Sequence, residues 1–341
     1  MPTAPWKAAS TLIVAARNLA LNRSINESFD YKLLLLKRSA KSGFMAKAFV
    51  FPGGIWDPHD SDLKYEAVIG SDYPEYEADA LPELYKSREV NKLIPEIYFK
   101  ITAIRETFEE TGVLICQKTE KAIDPCSLKI WRREVFENAS KFLNLCLEHS
   151  ILPDVKNLHE WSCWLTPVDV GPRRFDTMFY ICCLEEIPLA TVDDSEISEF
   201  RWLSPEEALK LHISREIWLA PPQVYELSRL CAFKSFDGLK EFAEKRAKLG
   251  VNRWMPVRMN ATDGIISTLP GDYLYPENPD FLGEKEVIDL EKSLKELKEL
   301  SNLNRFEYQD FFNASLIIRN IQDPCGHPTP VSFDSLIKSS L

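Results

Sequence analysis

Three glutamates lie close together in the stretch Arg105–Val113, and their spacing suits metal chemistry. Glu106, Glu109 and Glu110, termed the box glutamates below, stand at i, i+3 and i+4, so on a helix their carboxylates share one face. Like charges at these spacings weaken a bare helix. A divalent cation reverses that repulsion, because Mg²⁺ prefers oxygen ligands and bridges carboxylates to substrate phosphates. A solvated acidic helix face is the alternative, and this stretch alone does not decide between the two.

The elements around this stretch favour a cation site. An apolar run at 31–36 predicts a strand, and Phe51–Gly54 predicts a tight Pro-Gly-Gly turn before the helix. Gly112 stands where the end of a helix favours a left-handed residue. The helix is predicted to open at Pro95 and to bury three isoleucines, Ile97, Ile101 and Ile104.

Strand, turn and glutamate-rich helix together resemble the Nudix box, G-x5-E-x7-R-E-U-x-E-E-x-G-U, in which U is aliphatic. Gly54 matches its opening glycine. Its second half is matched by Arg105, Glu106, Glu109, Glu110, Gly112 and Val113. Thr107 stands in an aliphatic slot, and Asp60 takes the slot of the first glutamate. Between Gly54 and Arg105 lie 50 residues where the consensus has 13, which indicates one box split by an insertion of 37 residues.

Further segments resemble one branch of the Nudix hydrolases, the motif-19 branch of the peroxisomal coenzyme A diphosphatase type. They are Trp164–Pro167, Arg173–Thr177, Trp218–Gln223 and Leu269–Asp272. The resemblance implies hydrolysis of CoA and acyl-CoA esters to 3′,5′-ADP and (acyl)phosphopantetheine, with Mg²⁺ or Mn²⁺. Two alternatives stay open. One is another diphosphate substrate, such as ADP-ribose, NADH or capped RNA, and the other is a Nudix fold kept as a non-catalytic binding module.

A second signature of related CoA hydrolases, L-L-T-x-R-[SA]-x3-R-x3-G-x3-F-P-G-G, overlies Leu34–Gly54 in part. Arg38 and Ser39 match it. Gly43 occupies the slot of the second arginine, and Lys47 replaces a glycine. The partial match weakens the choice of CoA as the substrate and leaves the diphosphatase assignment unchanged.

The resemblance also implies roles for single residues. The box glutamates are the expected metal ligands, with Glu110 central among them, and Arg105 is expected to orient their carboxylates. Metal ions held there would neutralise charge on a diphosphate and lower the pKa of a bound water. Gly53 and Gly54 are expected beside the substrate, where a backbone carbonyl is also a candidate metal ligand. The general base is left open between a box glutamate and a glutamate of a later loop.

Three arginines are candidate substrate contacts, because a guanidinium binds phosphate through two hydrogen bonds. Arg38 is favoured by the CoA signature, while Arg173 and Arg174 precede a predicted strand. The alternative for this pair is two exposed arginines beside a strand. Three tryptophans are expected in the core rather than as adenine platforms: Trp161, Trp164 and Trp202.

Composition excludes several classes of function. The net charge is −11, from 41 basic and 52 acidic residues, which argues against general nucleic-acid binding. The eight cysteines form no C-x-x-C pair and the five histidines are scattered, so a structural zinc site is not expected. Free thiols without a secretory signal indicate a cytosolic or organelle-matrix protein. The apolar run Leu33–Leu36 is too short to span a membrane.

The order of elements predicts an α+β fold, a Nudix-type α/β/α sandwich with a mixed sheet. Residues 7–213 are expected to form the Nudix domain, with 61–95 as a surface insertion inside the box. Residues 214–341 are expected to form a mainly helical extension, with a surface helix over 284–300. Strands are predicted at 11–16, 33–37, 48–51, 161–166, 175–184 and 200–203, and helices at 131–148 and from Ser204. The helix at 131–148 is predicted to bury Val135, Phe136, Phe142, Leu143 and Leu147.

The chain ends in Ser339-Ser340-Leu341, which resembles the S-K-L tripeptide read by the peroxisomal import receptor. Ser339 and Leu341 match, while Ser340 replaces the basic residue. The resemblance favours a peroxisomal location, with the mitochondrion or the cytosol as alternatives.

Overall fold

The computed structural model describes residues 6–19, 28–43, 45–69, 93–117, 123–171, 173–192, 196–283, 287–310 and 313–338. Eight strands form the first sheet: β1 (Lys7–Arg17), β2 (Tyr31–Arg38), β3 (Phe49–Val50), β4 (Gly53–Ile55), β5 (His159–Leu165), β6 (Phe175–Leu184), β7 (Ile197–Leu203) and β8 (Arg253–Trp254). The predicted strands are all present, with ends shifted by a few residues.

Strand β1 lies at the centre of this mixed sheet. It pairs parallel with β6, from Lys7 opposite Phe175 onward, and antiparallel with β2. Short strand β4 also pairs with β1, which sets Gly54 opposite Ser10. The Pro-Gly-Gly turn is thereby fixed to the middle of the sheet by backbone hydrogen bonds.

Alternate residues of β1 enter two different cores. Leu12 and Val14 join the apolar cluster on one face, while Ile13 and Ala15 join the cluster on the other. Because both faces are covered, the strand reads as a continuous apolar run. Helices α2 (Pro95–Thr111), α3 (Pro125–Glu137) and α4 (Ser140–His149) cover the first face, and α5 (Pro205–Ile213), α6 (Pro221–Leu230) and α7 (Phe236–Ala247) cover the second. The predicted α/β/α sandwich is confirmed.

Helix α2 carries the box glutamates and has the predicted ends. Pro95 occupies its first turn, and Gly112 ends it in the left-handed region at φ 72°. The three isoleucines predicted for its buried stripe are at most 6% exposed. Ser204 likewise starts α5 through a capping box with Glu207, as predicted.

The single helix predicted over 131–148 is two helices, α3 and α4. Asn138 interrupts it with an extended backbone at φ −157°, and its side chain accepts from Ser140 N–H at the start of the next helix. The break changes the helical phase, so Phe136 and Leu147 are 43% and 45% exposed instead of buried. Val135, Phe142 and Leu143 are buried as predicted.

The insertion is not wholly a surface excursion, as 61–95 was predicted to be. Its first part forms a 3-10 turn and α1 (Glu66–Ile69), which place Tyr65 and Val68 in the core against α2 and α4. Leu93, at the far end, is also buried, and its N–H donates to Ser61 O at 3.1 Å. Residues 70–92 lie outside the described part of the chain.

The prediction of a mainly helical C-terminal extension is wrong, because 214–341 holds a second sheet beside its helices. The sheet has the order β11-β9-β10-β12-β13. Its strands are β9 (Val257–Ala261), β10 (Gly264–Thr268), β11 (Ile288–Asp289), β12 (Leu303–Asp310) and β13 (Asn313–Arg319), and the short helices are α8 (Leu294–Leu297) and α9 (Phe333–Lys338). In the described residues, none of the helices is long and apolar enough to cross a membrane.

The surface helix predicted over 284–300 is also corrected to a four-residue helix, α8. Ser293 caps a new helix start through Glu296, and this cap interrupts the leucine spacing. Leu290, Leu294 and Leu297 still share one apolar cluster with the second sheet. Helical spacing alone did not distinguish this packing from a continuous helix.

Candidate active site

Arg105 is the centre of the candidate site and is only 3% exposed. Its Nε and Nη2 donate to the two carboxylate oxygens of Asp60 at 2.7 and 2.9 Å. Its Nη1 donates to Glu106 at 2.9 Å and to Glu109 at 2.7 Å. The guanidinium therefore holds two of the box glutamates in place, and its role in orienting them for a metal ion stays a prediction.

Asp60 holds Arg105 from the other side. It is fully buried and also accepts from Thr102 Oγ1 at 2.8 Å and from Asp57 N–H at 3.1 Å. The residue in the slot of the first glutamate is thus a structural partner of the arginine. Thr107, in the aliphatic slot, is tolerated because its hydroxyl donates to Ala103 O at 2.7 Å.

The Gly-Gly turn touches the box glutamates directly. Gly53 N–H donates to Glu110 Oε2 at 2.9 Å, and its φ of 151° favours glycine. A Cβ at Gly54 would collide with the carboxyl group of Glu106. Both glycines are therefore required for the close approach of strand β4 to helix α2.

The three box glutamates are buried close together, which makes it costly for all of them to carry a negative charge. Burial, with the nearby charge of Glu106, raises the pKa of Glu109 to about 8 against the opposing charge of Arg105. Burial and Glu106 likewise raise the pKa of Glu110, which Gly53 N–H and Arg38 partly offset. Burial also raises the pKa of Glu106. One guanidinium does not compensate these carboxylates, and their oxygen donors suit a hard divalent cation.

These carboxylates do not form a ready-made cage. Among the described residues, no three His, Cys, Asp or Glu side chains are already placed to hold a metal ion. The hydrogen bonds of the box glutamates to Arg105 and Gly53 explain the present orientations. Metal ligation by Glu106, Glu109 and Glu110 remains a prediction.

The box glutamates line one part of a cavity of about 1470 Å³. Cationic side chains also line it, among them Arg38, Lys41 and Arg173. Its volume exceeds the roughly 300–1,000 Å³ of pockets for drug-sized ligands, so it can take a long substrate.

Two of the three predicted arginines line the cavity. Arg38 lies near enough to Glu110 to lower its pKa. Arg173 is exposed, and its Nη1 lies 2.6 Å from the point where a Cβ on Gly43 would stand. Gly43 occupies the slot of the second arginine in the CoA signature, so the guanidinium of Arg173 fills space that a side chain at that slot would need.

Arg174 does not line the cavity, although it was a candidate substrate contact. It is 7% exposed, and its guanidinium donates to Thr166 O at 3.0 Å and to Phe281 O at 2.8 Å. It also stacks on Trp6 at 5.3 Å. Arg174 is not among the described residues that line the cavity, because β6 turns its side chain toward the loop at Phe281. These contacts tie the second half of the chain to the first sheet.

Sequence reasoning missed several residues of the cavity. Glu196 lines it and raises the pKa of Glu106 and of Glu110 through its charge. Gln223 also lines it, in a segment that was noted only for its resemblance. Trp164 is 3% exposed as predicted, yet it forms part of the wall. No local pattern marks these positions, because chain segments far apart in sequence bring them together.

Comparison with known proteins gives consistent results. A family model for the NUDT19 Nudix domain matches residues 6–230, and one for the NUDT19 C-terminal domain matches 258–318. The acyl-coenzyme A diphosphatase NUDT19 of Xenopus laevis is 38% identical over an alignment of 375 positions, gaps included, which covers 98% of each chain. The human protein of that name is 36% identical over 293 residues, 78% of each chain.

The fold agrees as well. The crystal structure of a Nudix hydrolase from Alicyclobacillus acidocaldarius superposes with a TM-score of 0.55 at 20% identity. The match covers 70% of this chain and 97% of the other. At this identity, the likeness establishes the fold alone. Together with the family models and the identity to the vertebrate relatives, it shows that this chain belongs to the NUDT19 family of Nudix hydrolases.

Proposed function

We propose that this protein is a metal-dependent diphosphatase that hydrolyses the pyrophosphate of CoA and of acyl-CoA esters to 3′,5′-ADP and (acyl)phosphopantetheine. The proposal rests on two features that lie in the same cavity. The box glutamates supply closely spaced carboxyl groups, and Arg38, Lys41 and Arg173 supply cations for phosphate groups. The relatives named acyl-coenzyme A diphosphatase support the choice of substrate.

The box glutamates are the proposed holders of Mg²⁺ or Mn²⁺. When bound, such a cation neutralises charge on the diphosphate and lowers the pKa of a water molecule. Arg105 keeps two of the carboxylates in place, and Gly53 N–H keeps the third. Placing these groups before the substrate arrives removes the cost of reorganising them during the reaction.

Arg173 is the proposed substitute for the missing second arginine of the CoA signature. Its guanidinium lies against Gly43, the residue in that slot, although it reaches the site from the loop before β6. It is therefore proposed, with Arg38, to bind the phosphates of the substrate. Arg174 is left out of this role, because backbone carbonyls already occupy its guanidinium.

The test is a substrate panel with the full chain and either Mg²⁺ or Mn²⁺. CoA and acyl-CoA are expected to have the highest kcat/KM, with NADH, ADP-ribose and capped RNA at least about tenfold lower, a difference worth about 1.4 kcal/mol in the transition state. A faster reaction with one of the other three would replace CoA as the substrate. Metal-dependent binding of CoA without turnover would instead identify a binding module.

A peroxisomal location is also proposed, through binding of the C-terminal tail to the import receptor. Ser339, Ser340 and Leu341 lie outside the described residues, so the proposal rests on the sequence alone. A fluorescent protein fused upstream of the chain is expected to give peroxisomal puncta that disappear when Leu341 is deleted. Diffuse fluorescence from the intact tail would contradict the import proposal and leave the hydrolase proposal standing.

A further inference from the structure

The second sheet supplies one wall of the cavity that holds the box glutamates. Besides Arg258 on β9, five side chains from three further strands line this wall: Ile265 and Ser267 on β10, Phe306 and Tyr308 on β12, and Ala314 on β13. Adjacent strands place them side by side, since Ile265 pairs with Tyr308 and Tyr308 pairs with Ala314. These five residues are termed the second-sheet wall.

The second-sheet wall continues an apolar surface of the first sheet. Phe306 belongs to the same apolar cluster as Phe51, Trp164 and Phe179, and all four line the cavity. Phe51 and Phe179 stack edge to face, with ring centroids 6.5 Å apart. Burial raises the pKa of the Tyr308 hydroxyl from its ordinary value near 10 to about 12. This part of the cavity therefore offers a largely apolar surface, and its charged residues Arg258 and Asp169 pair with each other at 3.1 Å.

One buried polar group breaks this apolar surface. Gln223, near the start of α6, is 7% exposed and lines the cavity. Its Oε1 has no hydrogen-bond partner among the described residues. A buried amide oxygen without a partner is unfavourable, and a ligand N–H that donates to it would remove that cost.

We propose that the second-sheet wall binds the acyl chain of the substrate and that Gln223 accepts a hydrogen bond from an amide N–H of the pantetheine arm. The inference rests on the proposed function. A CoA ester has a charged nucleotide, a diphosphate, an arm with amide groups and an apolar acyl chain, in that order. With the diphosphate at the box glutamates, the arm and chain need a neighbouring surface that is apolar and carries an acceptor for N–H.

The test fills the wall with a larger side chain. Ala314→Phe is expected to lower the ratio of kcat/KM for palmitoyl-CoA to kcat/KM for acetyl-CoA by about tenfold, because a blocked apolar pocket loses contacts with the long chain only. Ser315→Phe is the matched control, since Ser315 is the exposed neighbour on the same strand. Its ratio should stay at the wild-type value. If Ala314→Phe does not fold, Ile265→Phe on β10 replaces it, and the same decrease in the ratio is expected.

A second variant tests the amide contact. Gln223→Leu removes the unpaired acceptor, so thermal stability should stay equal or rise, while KM for CoA rises by about tenfold. A purely structural glutamine would not combine higher stability with weaker binding.

Two failures are distinguishable. If the wild-type protein hydrolyses neither CoA ester, the proposed function fails. If it hydrolyses both but the Ala314→Phe or Ile265→Phe ratio equals that of wild type, the second-sheet wall is not the acyl site. An unchanged KM in Gln223→Leu would overturn the amide contact.

Discussion

Two arginine–carboxylate clusters, one at the cavity and one in the core, differ in how completely their charges are paired. Arg105 binds Asp60 and two of the box glutamates, and the third is held by Gly53 N–H. Arg229 binds Glu226 and Asp323 and lies over two aromatic rings. Both arginines are nearly inaccessible, at 3% and 2% exposure.

The second cluster pairs its charges much more fully. Glu226 is fully buried and accepts from Trp161 Nε1 at 2.8 Å and from Trp164 Nε1 at 2.7 Å, besides its ion pair with Arg229. Arg229 also reaches Asp323 in the C-terminal segment, so this cluster ties that segment to β5 and α6. The first cluster holds more carboxyl groups than its one arginine can pair, at the edge of a cavity. Burial alone therefore does not distinguish a catalytic cluster from a structural one, whereas the balance of charge does.

The largest expected effect comes from removing one of these carboxyl groups. Glu110→Gln should lower kcat by roughly 10³-fold, the scale of losing one group of a preorganised electrostatic site. The melting temperature should stay equal or rise, because glutamine cannot ionise at this buried position beside other carboxyl groups. Steady-state kinetics at saturating Mg²⁺ and thermal melts measure the two effects.

The control for this variant is Glu148→Gln, an exposed glutamate on α4 whose activity should match that of the wild type. Near-normal turnover of Glu110→Gln would remove Glu110 from the proposed metal site.

Breaking the Arg229 cluster should cost stability. Glu226→Leu leaves two indole N–H groups without an acceptor and Arg229 with one partner fewer. The free energy of unfolding should fall by about 3–5 kcal/mol, as for other buried pairs that lose one partner. Urea denaturation measures this loss. Glu241→Leu, which removes an exposed pair with Lys245, should change little by comparison. Equal losses in both variants would contradict the assigned structural role.

A further buried carboxyl, Glu160 on β5, tests how an incompletely paired charge affects stability as the pH changes. Burial, with the charge of Glu96, raises its pKa to about 7. Because the folded-state pKa exceeds that of the unfolded chain, the contribution of Glu160 to stability is complete below pH 4.5 and is lost as the pH rises through 7. The loss should amount to about 3 kcal/mol.

Glu160→Gln should flatten this part of the profile of unfolding free energy against pH. Glu244→Gln, at an exposed position on α7, should leave the profile unchanged. An unaltered slope between pH 4.5 and 7 in Glu160→Gln would show that another group causes the decline.

The smallest effect is expected from shortening the insertion next to the Arg105 cluster. Leu93 N–H bonds to Ser61 O, and both flanks are buried, so the ends are held together by described contacts. Replacing 70–92 by a short Gly/Ser linker should change the unfolding free energy by about 1 kcal/mol or less, because closure entropy grows slowly with loop length. Replacing 61–95 should instead prevent folding, since Tyr65 is lost from the core. Calorimetry of both variants decides between these outcomes.

The sequence predicted the features that depend on local spacing. The shared face of the box glutamates, the end of α2 at Gly112 and the start of α5 at Ser204 all follow from residues a few positions apart. The second sheet was not predicted, because its strands pair between residues far apart in the sequence, as Ile288 does with Met259.

Side-chain direction was equally hard to predict. Arg173 and Arg174 are neighbours in the same motif, yet only the first lines the cavity, because alternate residues of extended chain point to opposite sides. Phe136 became exposed through a break at Asn138 that depends on the helix after it. Such outcomes are set by tertiary contacts, which no local pattern contains.

The ion pair between Asp60 and Arg105 affects how the box can accept insertions and how sequence searches detect it. Two hydrogen bonds join the halves of the box in space, so the interval between them can be longer than the consensus without separating the halves. The interval after Asp60 can accept new genetic material without altering the geometry of the carboxylates. A genome search that demands fixed spacing will miss such chains, whereas one that scores the two halves separately will retrieve them.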